Sequence, residues 1–498
     1  MLGKIQKQLL LKYPLLWNTK FVPMVCIGAL INLLYFFIGY ADGSIDFKER
    51  YDSDLDFTFF SFCFLISVVL LILWLVNYFR NNSLKSFYPK SKYSLFYEWI
   101  QILIIVLLLI GFFFPFEIGR KLHKQSYITK EVAKKRCEII SKADFFIDGS
   151  FGEAEIDSVN SVFNDTVING EPKYTNIVYK DYITLFGKKY VATSLINRNT
   201  RGFAFFTDVE DSLRKVEMQK ILFKDESHKI KKLMTDYMSI VKEHGLQTNL
   251  TKEKWFDITY NAPDFKKYEL ITPYKPSDST DGYYYNDYEE PVSVTTAVAN
   301  YEYKKEYSKY YIEQNTLAHN YQEIARSYVN SIFTEDTLLP FFYFGFGISL
   351  LIFSFRVTSG KSWLIAVVTL GVLNLILGIF SALSGEFITY TILMILFILA
   401  AIIYYSSILI SKKSQNISKI VLNLLLWLFG ALIPLIYATY QEIYKKSIEY
   451  KDDYYYDSHY EFLRDNVPSM LSINLFVVFI MMFFLCSLIR KWKGIAED

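Results

Sequence analysis

Residues that carry chemistry are scarce in this chain. Only four of its 498 residues are cysteine. Cys26, Cys63 and Cys486 fall inside apolar runs, and Cys137 stands alone in the polar part. That spacing excludes a disulfide within the polar part and any metal-thiolate cluster. The five histidines, His123, His228, His244, His319 and His459, include no pair at zinc-ligand spacing. No H-E-x-x-H, C-x-x-C, G-x-S-x-G or P-loop occurs. No catalytic site, cofactor or metal is therefore expected, and work driven by ATP would need a separate chain to hydrolyse it. Charge is also thin, at 21% of residues, and the net charge of +2 argues against nucleic acid as the main partner. No charge sits at mid-depth in any long apolar run, which counts against a proton-coupled carrier.

What the chain has in quantity is apolar sequence. Eight runs reach spanning length, at about 21–40, 57–79, 98–116, 337–356, 362–383, 387–411, 419–439 and 469–489. At a rise of ~1.5 Å per residue, ~20 residues cross a ~30 Å hydrocarbon core. The N-terminal run is long and lacks a small-x-small cleavage site, so it reads as a retained span. The expected fold is a polytopic α-helical membrane protein of about eight transmembrane helices. An α+β extracytoplasmic domain, 119–335, is inserted between helices three and four. The blocks are then 1–118, 119–335 and 336–498.

Loop charges set the expected orientation. Lys4, Lys7, Lys12 and Lys20 precede the first run. Arg80, Lys85, Lys90 and Lys92 follow the second; Arg356 and Lys361 follow the fourth; Lys412, Lys413 and Lys419 follow the sixth; Arg490, Lys491 and Lys493 follow the last. The alternate loops are acidic, with Asp42, Asp46, Glu49, Asp52, Asp54 and Asp56 in one and Asp452, Asp453 and Asp457 in another. The positive-inside rule puts both termini in the cytoplasm, the insert outside it, and the chain in the cytoplasmic membrane.

Within the insert a helix is expected at about 124–143, running straight on from the third span. Asn176–Tyr179, Tyr182–Phe186 and Tyr190–Ala192 read as extended, with a hairpin turn at Gly187. A helix at about 226–244 would bury Ile230, Leu233, Tyr237, Ile240 and Val241 and stop at Gly245. Tyr303, Tyr307, Tyr310, Gln314, Leu317, Tyr321, Ile324 and Tyr328 alternate by four and three, a heptad seam on a helix of about 299–333. That helix is either a stalk leading into span four or an amphipathic helix covering a small core.

Other candidates are weaker. Asp52-x-Asp54-x-Asp56 opens like a calcium loop, but Phe57 and Cys63 stand where glycine and glutamate belong. The Tyr/acid stretches 281–290 and 452–460 read as solvated loops. Asn32, Asn374, Asn423 and Asn474, with Gly371, Gly378, Gly430 and Pro434, mark helix packing or contact with a substrate.

Two segments carry a resemblance. Met1–Thr19 is amphipathic, with Leu2, Ile5 and Leu9 against Lys4, Gln8 and Lys12, and Pro14 ends it. Between runs two and three lies Phe87-Tyr88-Pro89-Lys90-Ser91-Lys92-Tyr93-Ser94-Leu95-Phe96-Tyr97-Glu98. Together these resemble ABC-2-type exporter permeases, which have an interfacial elbow helix and a Pro-x-Ser-basic loop with a short helix that docks on the ATPase. The resemblance covers about residues 1–120. It implies that Pro89, Lys90, Ser91, Lys92, Leu95, Phe96 and Glu98 meet a cytosolic ATPase subunit, and that two such chains pair as a homodimer or heterodimer. The chain departs from simple members in its extra spans and its large insert.

Three readings follow. The first is a permease subunit of an export system. The second is a membrane scaffold or sensor whose outer domain binds a partner. The third is a membrane enzyme acting on lipid or glycan at the outer face, drawing on Glu117, His123, Glu386 and Asp465.

Overall fold

The structure is a computed structural model that describes residues 12, 16, 19–49, 57–80, 93–147, 166–168, 171–173, 182–185, 188–191, 200–260, 271–273, 309–411, 416–449 and 457–493. In chain order, the first helices are α1 (Phe21–Asp42), α2 (Phe57–Arg80), α3 (Ser94–Ile110), α4 (Phe113–Tyr127) and α5 (Lys130–Asp144). Strands β1 (Thr166–Ile168), β2 (Glu171–Lys173), β3 (Tyr182–Leu185) and β4 (Lys188–Val191) follow. Then come α6 (Asp208–Phe223), α7 (Ser227–Glu243), α8 (Lys252–Thr259), β5 (Ile271–Thr272), β6 (Tyr310–Tyr311) and α9 (Gln314–Val329). The chain ends with α10 (Glu335–Val357), α11 (Gly360–Ser384), α12 (Phe387–Ser411), α13 (Asn416–Leu428), α14 (Leu432–Glu449), α15 (Ser458–Asp465) and α16 (Val467–Lys493).

Eight of the described helical segments are long and apolar enough to cross a membrane, and they coincide with the eight apolar runs. The chain is thus a multi-pass helical membrane protein. It divides into two compact units, one of residues 1–42, 56–119 and 331–498, the other of 43–55 and 120–330. The acidic stretch 43–55 therefore belongs with the inserted unit, beyond the boundary expected from hydropathy.

In the first unit α3 is the hub. It packs on α1, α2, α10 and α16, and buries Trp99, Ile102, Ile105, Val106 and Leu109. By contrast α11 leaves Leu364, Val368, Leu375, Ile379 and Leu383 exposed, an apolar face suited to lipid. α1 and α4 touch backbone to backbone. A Cβ at Gly39 would lie 2.0 Å from the Phe116 carbonyl oxygen, and one at Gly119 2.1 Å from that of Phe36.

Two spans are interrupted, each by a Gly-x-x-x-Pro spacing. Pro115 has no N–H to give the carbonyl of Gly111, so Phe114 N–H takes it at 3.1 Å and α3 breaks from α4. Pro434 likewise frees the carbonyl of Gly430, and a 3₁₀ turn, Phe429–Ala431, separates α13 from α14.

The second unit has its own core. α5, α7 and α9 bring together Cys137, Ile140, Met234, Tyr237, Leu317 and Tyr321, and α8 adds Trp255 and Ile258. β3 and β4 form the expected hairpin, with Leu185 opposite Lys188. The helix expected at 226–244 is α7, and Gly245 ends it at φ +67°.

Two expectations for this unit are corrected. The helix of 124–143 is broken at Ile128 and Thr129 into α4 and α5. Tyr328 Oη donates to the carbonyls of Gln125 and Ile128 at 3.0 and 2.7 Å, which satisfies the end of α4. Among the described residues of 299–333, the helix expected there is α9 alone. Tyr310 lies in β6, paired in parallel with β5, and the N–H groups of Gln314 and Asn315 both donate to Pro273 O at 3.1 Å. Backbone pairing thus claims the residues that a longer helix would need. At the other end Asn330 is extended, so α9 does not run on into α10. Leu317, Tyr321 and Ile324 are buried and Tyr328 is half-buried, as an amphipathic helix covering a core requires. Tyr303 and Tyr307 lie outside the described residues, as do the amphipathic segment before Thr19 (save Lys12 and Leu16), the acidic triplet 52–56, the stretch 281–290 and residues 452–456.

Candidate functional site

Spans in a bilayer keep charge only at a cost, so a buried ion pair marks the place to look. Glu98, one turn into α3, is 3% exposed. Tyr78 Oη, near the end of α2, donates to its Oε1 at 2.8 Å. Arg356 Nε, in the last turn of α10, donates to the same oxygen at 3.2 Å. The pair thus joins the second, third and fourth spans at one point. The carboxylate sits near a helix N-terminus and the guanidinium near a C-terminus, each favoured by the local helix dipole. Arg356 Nη2 is buried with no hydrogen-bond partner among the described residues.

A polar belt surrounds the pair. The Trp74 ring stacks on Tyr78 with centroids 5.4 Å apart, and its Nε1–H donates to Thr19 O at 2.9 Å. Thr19 Oγ1 donates to Gln101 Oε1 at 2.6 Å. Trp99 Nε1–H donates to Ser349 Oγ at 3.2 Å, and Trp427 Nε1–H to Ser354 Oγ at 2.8 Å. Thr358 Oγ1 donates to Asn423 Oδ1 at 3.0 Å. Indole donors and small hydroxyls thereby tie spans one, two, three, four and seven.

In this arrangement part of the expected docking set lies inside the helical packing. Leu95 and Glu98 face inward, at 6% and 3% exposure, and Arg356 is buried too. Phe96 is half-buried, 5.3 Å from Phe483 and 5.8 Å from Trp99. Leu95 to Glu98 form the opening turns of α3 and not a separate short helix, because no helix breaker divides them from the span. Tyr93 and Tyr97 are exposed. Pro89, Lys90, Ser91 and Lys92 lie outside the described residues.

Asn32, Asn374, Asn423 and Asn474 all make packing bonds. Asn32 Nδ2 donates to Gly28 O and Leu108 O at 2.7 and 2.9 Å, and Asn374 Oδ1 accepts from Tyr390 Oη at 2.7 Å. Asn423 is held by Thr358 as above. Asn474 does more, because its Nδ2 donates at 2.9 Å to Gly430 O, the carbonyl that Pro434 leaves unsatisfied. It also donates to Tyr343 Oη at 2.8 Å, and Tyr343 in turn donates to Leu471 O at 3.0 Å. A freed carbonyl in hydrocarbon must find a donor, and a neighbouring span supplies it.

The groups a membrane enzyme would need are engaged separately. Glu386 pairs with Lys446 at 2.5 Å, Asp465 with Arg464 at 3.0 Å, and His123 stacks on Tyr127. Among the described residues no three of His, Cys, Asp and Glu gather to hold a metal.

Sequence reasoning missed one cluster in the second unit. Tyr321 Oη accepts from Arg136 Nη1 at 2.9 Å and lies 2.9 Å from His244 Nε2. Arg136 also grips both oxygens of Glu243. Since Arg136 can only donate, the tyrosine proton is left for His244, whose ring stacks on Phe47 at 4.0 Å. Burial holds the His244 pKa below its usual value; Glu243 opposes this and Arg136 adds to it. The residues come from separate helices, and no local motif announces them.

Comparison with protein-family models, with curated proteins and with solved structures finds no match to this chain.

Proposed function

We propose that the chain is the membrane-embedded permease subunit of an export system, energised by a separate ATPase subunit. The observation that carries this reading is the Glu98–Arg356–Tyr78 tie, which links three spans directly beside the 81–92 connection. A push on that connection would reach α2 and α3 through their ends and α10 through the ion pair. The interrupted seventh span adds support, since broken helices in transporters line the path between two states.

The basic residues flanking the ends of α2, α10 and α16, namely Arg80, Lys361 and Arg490, favour a cytoplasmic side for those ends. On that orientation, alternation supports reading the 120–330 unit as an extracytoplasmic α+β domain. Its own core and short β pairs favour a capture or delivery role. They also fit the second reading, a scaffold whose outer unit holds a partner. The docking surface reduces to Pro89, Lys90, Ser91 and Lys92 with exposed Tyr93 and Tyr97.

Charge reversal separates the two readings. With Lys90→Glu and Lys92→Glu combined, a permease loses its ATPase on gentle solubilisation while its unfolding midpoint stays put. A scaffold keeps all its partners. Impermeant thiol labelling of a cysteine placed at His228 in intact cells tests the orientation, and protection from label there would overturn it.

A further inference from the structure

A cavity of about 330 Å³ lies wholly within the second unit. One wall is α9, where Asn315, Ala318, His319 and Gln322 recur at helical spacing on a single face. The other wall is the segment Arg201–Phe203, just before α6. Small-ligand sites begin at about this size.

Hydrogen-bond accounting gives the wall a polarity. Asn315 Oδ1 accepts from Arg201 Nη2 at 2.9 Å. Gln322 Oε1 accepts from the backbone N–H of Ala204 at 3.0 Å. A guanidinium and a backbone N–H can only donate, so both amides are fixed with their oxygens toward those donors. What remains on each is the whole NH₂ group and one oxygen lone pair. Arg201 Nη1 adds further donors, with no acceptor among the described residues. At the cavity the N–H groups left on these three side chains therefore outnumber the two remaining amide-oxygen lone pairs, and His319 adds a ring nitrogen to the same wall.

Such a wall selects a ligand rich in acceptors. Asp144 Oδ1 lies 3.7 Å from Arg201 Nε, so the local charge is close to balanced and a dianion gains little. A planar, singly charged carboxylate matches a guanidinium edge flanked by amide donors. Phe203 and Ala318 supply an apolar patch for the rest of a small molecule.

We propose that this cavity is a binding site for a small ligand carrying one carboxylate group, held by Arg201, Asn315 and Gln322. The site is independent of the transport reading, because binding is measured on the purified chain alone.

The test is calorimetric titration of the full-length protein in mild detergent with N-acetylglycine, its neutral isostere N-acetylglycinamide, and inorganic phosphate. Saturable binding of N-acetylglycine is expected, with the amide weaker by at least about tenfold, the loss of one charge-assisted bond. Phosphate should bind more weakly than the carboxylate. Arg201→Met and Gln322→Met should each weaken carboxylate binding by a similar factor. Lys232→Met, a substitution remote from this wall, should leave binding unchanged and controls for general effects. If Arg201→Met fails to fold, Gln322→Met and the carboxylate-to-amide ratio still decide the matter. No saturable binding at millimolar ligand, equal binding of the amide, or tighter binding of phosphate would overturn the assignment.

Discussion

Removing one member of the Glu98–Arg356 pair should be far more damaging than removing both. The charges lie 3.2 Å apart on side chains 4% and 9% exposed, so solvent screens them little. At an effective dielectric of about 20 their attraction is about 5 kcal/mol. Glu98→Leu leaves the Arg356 guanidinium buried without its counter-charge, and Arg356→Met strands the carboxylate with Tyr78 as its main donor. Each single change should cost about 3–5 kcal/mol, while the double Glu98→Leu, Arg356→Met should cost less than either, since an apolar pair avoids the desolvation penalty. The assay is reversible unfolding in mild detergent, followed by tryptophan fluorescence from Trp74 and Trp99 beside the pair. A coupling energy above about 2 kcal/mol in the double-mutant cycle is expected. Single costs under about 1 kcal/mol, or a double cost equal to their sum, would refute the reasoning.

Three further outcomes follow from the geometry. Asn474→Leu should cost about 1–3 kcal/mol by stranding the Gly430 carbonyl, and Pro434→Ala in that background should restore most of it by returning a backbone N–H; the same unfolding assay reads both. His244, with its pKa held low by burial, should make the second unit lose stability as pH falls from about 6.5 through its folded value, because protonation costs the bond accepted from Tyr321 beside Arg136. Hydrogen exchange in α7 and α9 should report this, and His244→Gln should flatten it. Glu323 is buried against Lys124 at 2.8 Å; burial alone would raise its pKa, but Lys124 and then Arg326 hold it below the usual value. Its stabilisation should be complete above about pH 4.5 and fade as pH falls through the lower folded pKa, and Glu323→Gln should abolish that acid limb in a pH series of unfolding midpoints.

How legible each element was depended on how local its cause is. The eight spans could be read because a hydrocarbon solvent demands a long unbroken apolar run. α7 could be read because its apolar face and Gly245 sit within one short window. The long stalk is interrupted just before α9 because β6 is drawn away by pairing with β5, some 40 residues earlier, which periodicity does not register. α6 was overlooked although Thr207-Asp208-Val209-Glu210 spells its capping box, and the structure closes that box in both directions. The interrupted spans were readable in principle from Gly111-x-x-x-Pro115 and Gly430-x-x-x-Pro434. The Glu98–Arg356 pair was not, because its partners stand 258 positions apart and each alone resembles a charge flanking a span.

The central claim is that this membrane chain works under the drive of a separate ATPase. Its most direct test is purification of the untruncated protein from its own membrane in a gentle detergent, with every co-purifying chain identified and quantified. A P-loop ATPase is expected in fixed stoichiometry, released by the combined Lys90→Glu and Lys92→Glu change. Recovery of the chain by itself, or only with partners held through the 120–330 unit, would contradict it.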